Sequence, residues 1–253
     1  MNSYSVTPLL LTYNEEANIA RTLAALGWAR RVVVLDSGST DRTETLARSF
    51  SNVAWYVRPF DNHAAQWEFG IHETSIDSTF VLALDADMIP TPAFIGDLEC
   101  ILSAKNVVGA NVTFRYCIHG TPLKGSIYPT QLRLFRRDLV QVTQQGHTQV
   151  FTVPGSVAAI RAPINHDDRK PFEQWVRAQL KYSLLEKQRI HSAKQHSIKD
   201  RLRLWGVMPL VAGTLSYVRS GGPLYKTASL RYAAERTIFE CMLLARLLEP
   251  DRT

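Results

Sequence analysis

Short apolar runs, each closed by a polar cluster, dominate the first ninety positions of the chain. Residues 5–12 are apolar and β-prone and stop at Tyr13-Asn14-Glu15-Glu16. Ile19, Leu23 and Leu26 then recur at helical spacing, which predicts a helix with Asn14 as its N-cap, Glu15 and Glu16 in its first turn and Gly27 near its end. Residues 31–35 form a second strand, followed by a helix through Leu46 and Phe50, a third strand over 53–57 and a helix over about 66–74. Phe80-Val81-Leu82-Ala83-Leu84 is the fourth apolar run; it meets Asp85-Ala86-Asp87, and Pro90 stops it. The order βαβαβαβ predicts an α/β fold with a doubly wound, mostly parallel sheet, and continuous apolar strands fit burial on both faces.

Three of the strands end in chemistry. Right-handed crossovers place Tyr13-Asn14-Glu15-Glu16, the turn from Asp36 to Thr43 and Asp85-Ala86-Asp87 on one sheet edge, where open α/β sheets bind ligands. The small-residue turn Asp36-Ser37-Gly38-Ser39-Thr40-Asp41 feeds a helix N-terminus and can present backbone N–H groups to an anion. It fits an Asx turn with a helix cap equally well when taken alone. Two carboxylates one residue apart at a buried strand end are costly unless a hard cation offsets them, although Asp85 and Asp87 alone would also fit a solvated strand end. The chain has neither GxGxxG nor a P-loop GK[ST], which disfavours a dinucleotide oxidoreductase or a P-loop NTPase.

Composition narrows the picture. The 253 residues are 45% hydrophobic and 21% charged, which excludes a wholly disordered chain. A formal charge of +6 implies an anionic partner: phosphate, anionic lipid or nucleic acid. Cys100, Cys117 and Cys241 lack CxxC spacing and read as buried free thiols of a reducing compartment. Met1-Asn2-Ser3-Tyr4 has no signal-peptide character, and no apolar stretch reaches the roughly 20 residues of a membrane span.

Thr12-Tyr13-Asn14-Glu15-Glu16, Val33-Val34-Leu35-Asp36-Ser37-Gly38-Ser39-Thr40-Asp41 and Leu82-Ala83-Leu84-Asp85-Ala86-Asp87 together resemble a family 2 glycosyltransferase with a GT-A fold, over roughly residues 5–165. The segments Tyr128 to Phe135 and His166-Asp167-Asp168-Arg169-Lys170 are similar to a subgroup near the lipopolysaccharide-core glucosyltransferases. The resemblance implies that Thr12, Tyr13, Asn14, Glu16, Asp36 and Asp85 hold a nucleotide-sugar. It implies that Asp87 ligates Mn²⁺ or Mg²⁺ on the diphosphate and that a late histidine, His166 ahead of His147, completes the metal shell, although either histidine fits a hydrogen-bonded structural role equally well. Such enzymes invert the anomeric centre in one displacement and need a general base. No Glu-Asp pair stands between 130 and 165, so the base falls to Asp167 or Asp168, with His147 next. Asp138, after Arg136-Arg137, reads as half of a surface ion pair. Arg133 alternates with Leu132 and Leu134, so it is expected on the opposite strand face from both, in contact with the diphosphate.

The last third differs in texture. Residues 171–190 show an amphipathic helical pattern, and residues 166–203 carry ten Lys or Arg against five Asp or Glu. Residues 204–218 carry no charge and contain Trp205, Pro209 and Tyr217; they fit a shallow interfacial segment whose basic flanks meet an anionic membrane. An apolar helix over 228–248 follows, and these helices would equally suit packing on the catalytic part or a homodimer. The expected organisation is a catalytic domain over 1–165 and a helical, membrane-facing or dimerising region over 166–253. The expected activity is transfer from a nucleotide-sugar, UDP-glucose by the subgroup resemblance, to a membrane-anchored glycan acceptor at the cytoplasmic, inner face of the cell membrane. The competing readings are a nucleotidyltransferase and a basic lipid-binding adaptor; no nucleic-acid module is recognisable, and nucleic acid is not an expected partner.

Overall fold

The computed structural model describes residues 5–104, 106–145 and 148–250. The chain forms two compact units. The first runs through Arg115 and adds Tyr128–Arg169; the second comprises Tyr116–Ile127 and the chain from Lys170 onward. The boundary expected at 165/166 therefore lies at 169/170, and a twelve-residue excursion belongs with the helices.

The first unit opens with β1 (Val6–Thr12), α1 (Ile19–Ala25), β2 (Val32–Asp36), α2 (Thr43–Arg48), β3 (Val53–Val57), α3 (His63–His72) and β4 (Phe80–Asp85). β1 pairs in parallel with both β2 and β4, and β2 with β3. The apolar runs are buried from both sides, which is why they do not alternate with polar residues. Val32, Val34, Leu82 and Leu84 pack with Ile19, Leu23 and Phe94 on one face, while Val33, Leu35, Val81 and Ala83 pack with Trp67 and Ile71 on the other. Helices thus cover both faces, as the pattern predicts.

Then follow β5 (Met88–Pro90), α4 (Pro92–Ser103), β6 (Val107–Ile118), β7 (Thr121–Pro122), β8 (Gln131–Arg136), β9 (Gln141–Gln145), β10 (Thr148–Thr152) and β11 (Ser156–His166). β8 lies antiparallel beside β4 and β6 antiparallel beside β8. β9 and β10 form a separate antiparallel pair. β5 pairs antiparallel with the end of β11, matching Met88 with His166. The parallel half is the βα series read from sequence; the antiparallel strands come from later residues whose partners no local pattern specifies.

In the second unit, α5 (Phe172–Ser192), α6 (Ile198–Leu204), α7 (Met208–Arg219), a 3₁₀ turn (Gly222–Tyr225) and α8 (Lys226–Leu248) follow in order. Ser197 caps α6 in a reciprocal capping box with Asp200. Arg203, almost wholly buried, donates to both oxygens of Glu240 at 2.9 and 2.7 Å and to Glu186 at 2.5 Å. Arg189 meets Glu186 at 3.0 and 3.1 Å and also pairs with Asp200. Burial opposes the charged form of Asp200, but hydrogen bonds from Arg189 and Ser197 outweigh it and hold the carboxyl at about 2. Tyr116, Leu123, Ala228 and Tyr232 make a small apolar core. The cysteines are free, but only Cys117 is buried; Cys100 and Cys241 are exposed, against the expectation.

Candidate active site

Strand register aligns the polar ends. Thr12 lies opposite Asp36 across β1 and β2, and Leu11 lies opposite Asp85 across β1 and β4. Thr12, Asp36 and Asp85 therefore stand side by side at the carboxyl edge of the parallel strands.

Asp36 is buried, and both of its oxygens are engaged inside the protein. Oδ1 accepts from Thr12 Oγ1 at 2.9 Å and from Ser39 Oγ at 2.5 Å; Oδ2 accepts from the amides of Gly38 at 2.8 Å and Ser39 at 2.6 Å. A carboxylate has about four lone-pair sites, and all are taken. Asp36 therefore shapes the turn, where a direct hold on a nucleotide was expected. Gly38 takes a φ of +89°, which suits a residue without Cβ.

Asn14 does not cap α1. Its backbone is left-handed at φ +53°, its amide donates to Ser39 Oγ, and its side-chain oxygen accepts from the amide of Thr40 at 2.9 Å. It ties the first polar strand end to the second, and the residue before α1 is Asn18. Glu16 does the same from the surface, its amide donating to Asp41 and its carboxylate accepting from Arg42. Burial works against ionised Asp41, but hydrogen bonds from Thr43 and the Glu16 amide outweigh it and hold the carboxyl below the usual range. Tyr13 stands exposed at the end of β1.

The pairing of β5 with β11 brings residues 87 and 166 together. His166 Nε2 lies 3.3 Å from Asp87 Oδ2, and the Asp87 carbonyl accepts from the amide of Asp167 at 3.0 Å. Asp87 is buried; Asp85 is about half exposed and meets Arg133 Nη2 at 3.3 Å. The Tyr128 ring lies 5.2 Å from the His166 ring. Burial, reinforced by the charges of Asp85 and Asp87 and opposed by Arg133, pushes the Tyr128 hydroxyl up to about 12. The phenol therefore stays protonated at neutral pH, hydrogen-bonded with the Gln131 side chain.

Arg133 corrects the alternation expected of β8. Ala110 faces Leu134 and Asn111 faces Leu132, so β8 carries one residue more than β6 at this point. This is a β-bulge centred on Arg133. Leu132 and Leu134 consequently join different cores on the two sides of the sheet. The guanidinium is buried, donates from Nε to Gln131 at 2.9 Å, and lies over the Phe114 ring. Its Nη1 has no hydrogen-bond partner among the described residues. A buried cationic donor with unused capacity is what an anionic ligand would meet.

Asp167 is unsuited to be a base. It is buried, and Oδ2 accepts from Arg21 Nη1 at 2.6 Å and from Arg169 Nε at 2.9 Å, while Arg21 Nη2 also holds its carbonyl. Two guanidinium groups share Oδ2 and tie the side chain into the turn as an anchor. Asp168, half-buried, accepts on Oδ1 from Asn18 Nδ2 at 2.8 Å. Asn18 Oδ1 in turn accepts from Arg21 Nη2 at 2.7 Å and from the Arg169 amide at 2.9 Å. Asn18 and Arg21, on or beside α1, clamp the turn after β11; sequence reading missed both, because nothing local links residue 18 to residue 168. His147 lies outside the described residues. Asp138 forms the surface pair with Arg136 at 3.0 and 2.8 Å, and Arg137 caps the Ile76 carbonyl.

The mostly parallel sheet, with its polar strand ends gathered on one edge, defines an open α/β architecture that solved structures share. Residues 1–349 of S. aureus TarS, solved in complex with UDP-GlcNAc, superpose with a TM-score of 0.51 at 12% identity, covering 93% of this chain and 81% of that one. A second structure of S. aureus TarS gives 0.50 at 11% identity, covering 98% of this chain and 56% of that one. The fold is of the GT-A type. The family model Glycosyl transferase family 2 matches residues 9–167, and the chain belongs to that family. The lipopolysaccharide core biosynthesis glycosyltransferase LpsC of Rhizobium meliloti (strain 1021) is 28% identical over 204 residues, 75% of this chain and 73% of that protein.

Proposed function

We propose that this chain transfers a sugar from a nucleotide-sugar, UDP-glucose in the first instance, to a lipid-linked, lipopolysaccharide-type acceptor at the cytoplasmic face of the membrane. The observation that carries the reading is the strand-end cluster of Asp85, Asp87, His166 and Arg133 on a family 2 scaffold. The likeness to LpsC supports the acceptor class.

The residues present fit a hard divalent ion. Two ligands at right angles on an ion with bonds of about 2.1 Å lie about 3 Å apart, close to the 3.3 Å between Asp87 Oδ2 and His166 Nε2. Among the described residues no group of three His, Cys, Asp or Glu closes a metal cage, so most of the coordination would be left to phosphate oxygens and water, as suits Mn²⁺ or Mg²⁺ on a nucleotide. When bound, the ion would neutralise charge on the departing diphosphate.

In this reading Arg133 meets the same diphosphate from the buried side. Thr12, Tyr13, Asn14, Glu16 and the turn shaped by Asp36 form the nucleotide-side wall, with Asp85 beside it. Asp168 takes the acceptor hydroxyl proton as the new C1–O bond forms and the bond to the diphosphate breaks, leaving the anomeric centre inverted. Asn18 orients Asp168, and Asp167 anchors the turn.

A thermal-shift screen of nucleotide-sugars with Mn²⁺ tests donor binding, since a ligand of the native state raises apparent stability. Turnover measured with EDTA and in Asp87→Ala tests the metal: undiminished activity in both would refute its role.

A further inference from the structure

We propose that the outward face of α7 is a docking surface for an anionic lipid bilayer, which deepens the membrane location proposed above. The helix is amphipathic in an inverted sense. Its inner side is small or compact: Met208, Pro209, Ala212 and Ser216 are buried, and a Cβ at Gly213 would collide with Thr237 Oγ1 of α8. Its outer side is apolar and open. Val207, Leu210, Val211, Leu215 and Val218 follow helical spacing, with Leu210 76% and Val218 67% exposed. Trp205, 72% exposed, precedes this stripe, and Leu224, 82% exposed, follows it. Water-facing surfaces seldom keep so many adjacent apolar side chains unless a partner covers them.

The charges around the stripe select the partner. No Asp or Glu occurs between Asp200 and Glu235, while Arg201, Arg203, Arg219, Lys226 and Arg231 do. Arg203 is neutralised internally by Glu186 and Glu240, and Arg231 by Glu235. Arg201, Arg219 and Lys226 are exposed, and Asp200 is buried against Arg189. An apolar stripe with cationic flanks complements a bilayer surface rich in anionic headgroups. A second copy of the chain fits worse. A two-fold contact through this face would set cations against their own mates with no acidic residue of the stripe to meet them. At 12 residues α7 is about 18 Å long, short of the roughly 30 Å hydrocarbon core. Among the described residues no helix is long and apolar enough to cross a membrane. The helix would therefore lie in the interface plane, with Trp205 at headgroup level.

The test is flotation of the full chain with phosphatidylcholine vesicles containing or lacking phosphatidylglycerol. Binding is expected to the anionic vesicles, to weaken with salt, and to be slight with phosphatidylcholine alone. Leu210→Glu with Val218→Glu, at exposed positions, should cut partitioning by about tenfold or more. Arg201→Gln and Lys226→Gln should each cut it by about fivefold. Trp205→Phe should remove most of the blue shift in fluorescence that vesicles induce. Wild-type protein that fails to float, or variants that float as well as wild type, would overturn the proposal. So would a wild-type dimer that the Leu210/Val218 variant converts to monomer without any vesicle binding. Nucleotide-sugar thermal shifts on the same preparations separate the two readings: intact donor binding with absent flotation removes only the docking surface, and flotation without donor binding removes only the transferase reading.

Discussion

Two of the buried ionic clusters among the described residues differ in completeness. In the helical unit Arg189 and Arg203 are shared among Glu186, Asp200 and Glu240 in a closed set of contacts. At the strand ends of the first unit, Arg133 is just as buried but makes one bond to Gln131 and one to Asp85, and Nη1 has none. Burial of charge therefore does not mark function here. Unused bonding capacity is what sets these two clusters apart, and an anionic ligand would offset the cost of leaving such a donor unsatisfied.

That contrast can be broken by substitution. Asp87→Ala should lower sugar-transfer turnover by about a thousandfold or more while barely moving the denaturation midpoint; a loss under about tenfold would place the metal elsewhere. Asp168→Asn should cost about a hundredfold or more in kcat and flatten the acid limb of the pH profile, whereas Asp167→Asn should act chiefly on stability. In the closed cluster the sign of the outcome reverses. Arg203→Ala leaves Glu240 and Glu186 buried without their partner and should destabilise the fold by about 3–5 kcal/mol, read by chemical denaturation.

Acid sharpens the same comparison more gently. Asp200 is held at about 2 against an ordinary 3.8, so the stability it lends is complete above about pH 4 and is lost as pH falls towards 2. Asp200→Asn should flatten that part of the acid-unfolding curve, followed by circular dichroism. Smallest of all, Asp138→Asn removes an exposed pair and should leave both turnover and the denaturation midpoint unchanged.

Much of the fold is legible in the chain because buried parallel strands announce themselves as apolar runs. β1 to β4 fall within a residue or so of where those runs place them, and the three polar stops mark the edge that carries Thr12, Asp36 and Asp85. What could not be read is pairing over long separations. The bond between β5 and β11 brings His166 to Asp87 across almost eighty residues, and the Arg21 clamp on Asp167 spans a still longer stretch. Local propensity carries no information about either. The same limit explains the assignments that failed. Asn14 looks like a cap because caps are local, yet its oxygen serves Thr40. Asp167 looks like a base because its two guanidinium partners include one from α1. The excursion 116–127 falls within the catalytic domain expected over 1–165, but it groups with the helices, and Tyr232 of α8 provides a hydroxyl for the Ile127 amide.

The bulge at Arg133 has a consequence for how the strand finds its place. An antiparallel strand of apolar residues can slide along its neighbour by two positions and lose little, because core side chains of similar size replace one another. β8 cannot do so. Any slide would carry the guanidinium away from Asp85 on β4 and leave a full charge stranded in hydrocarbon. The same side chain that offers a donor to an anion thus acts during folding as a register peg, penalising every alignment of β8 on β4 but one.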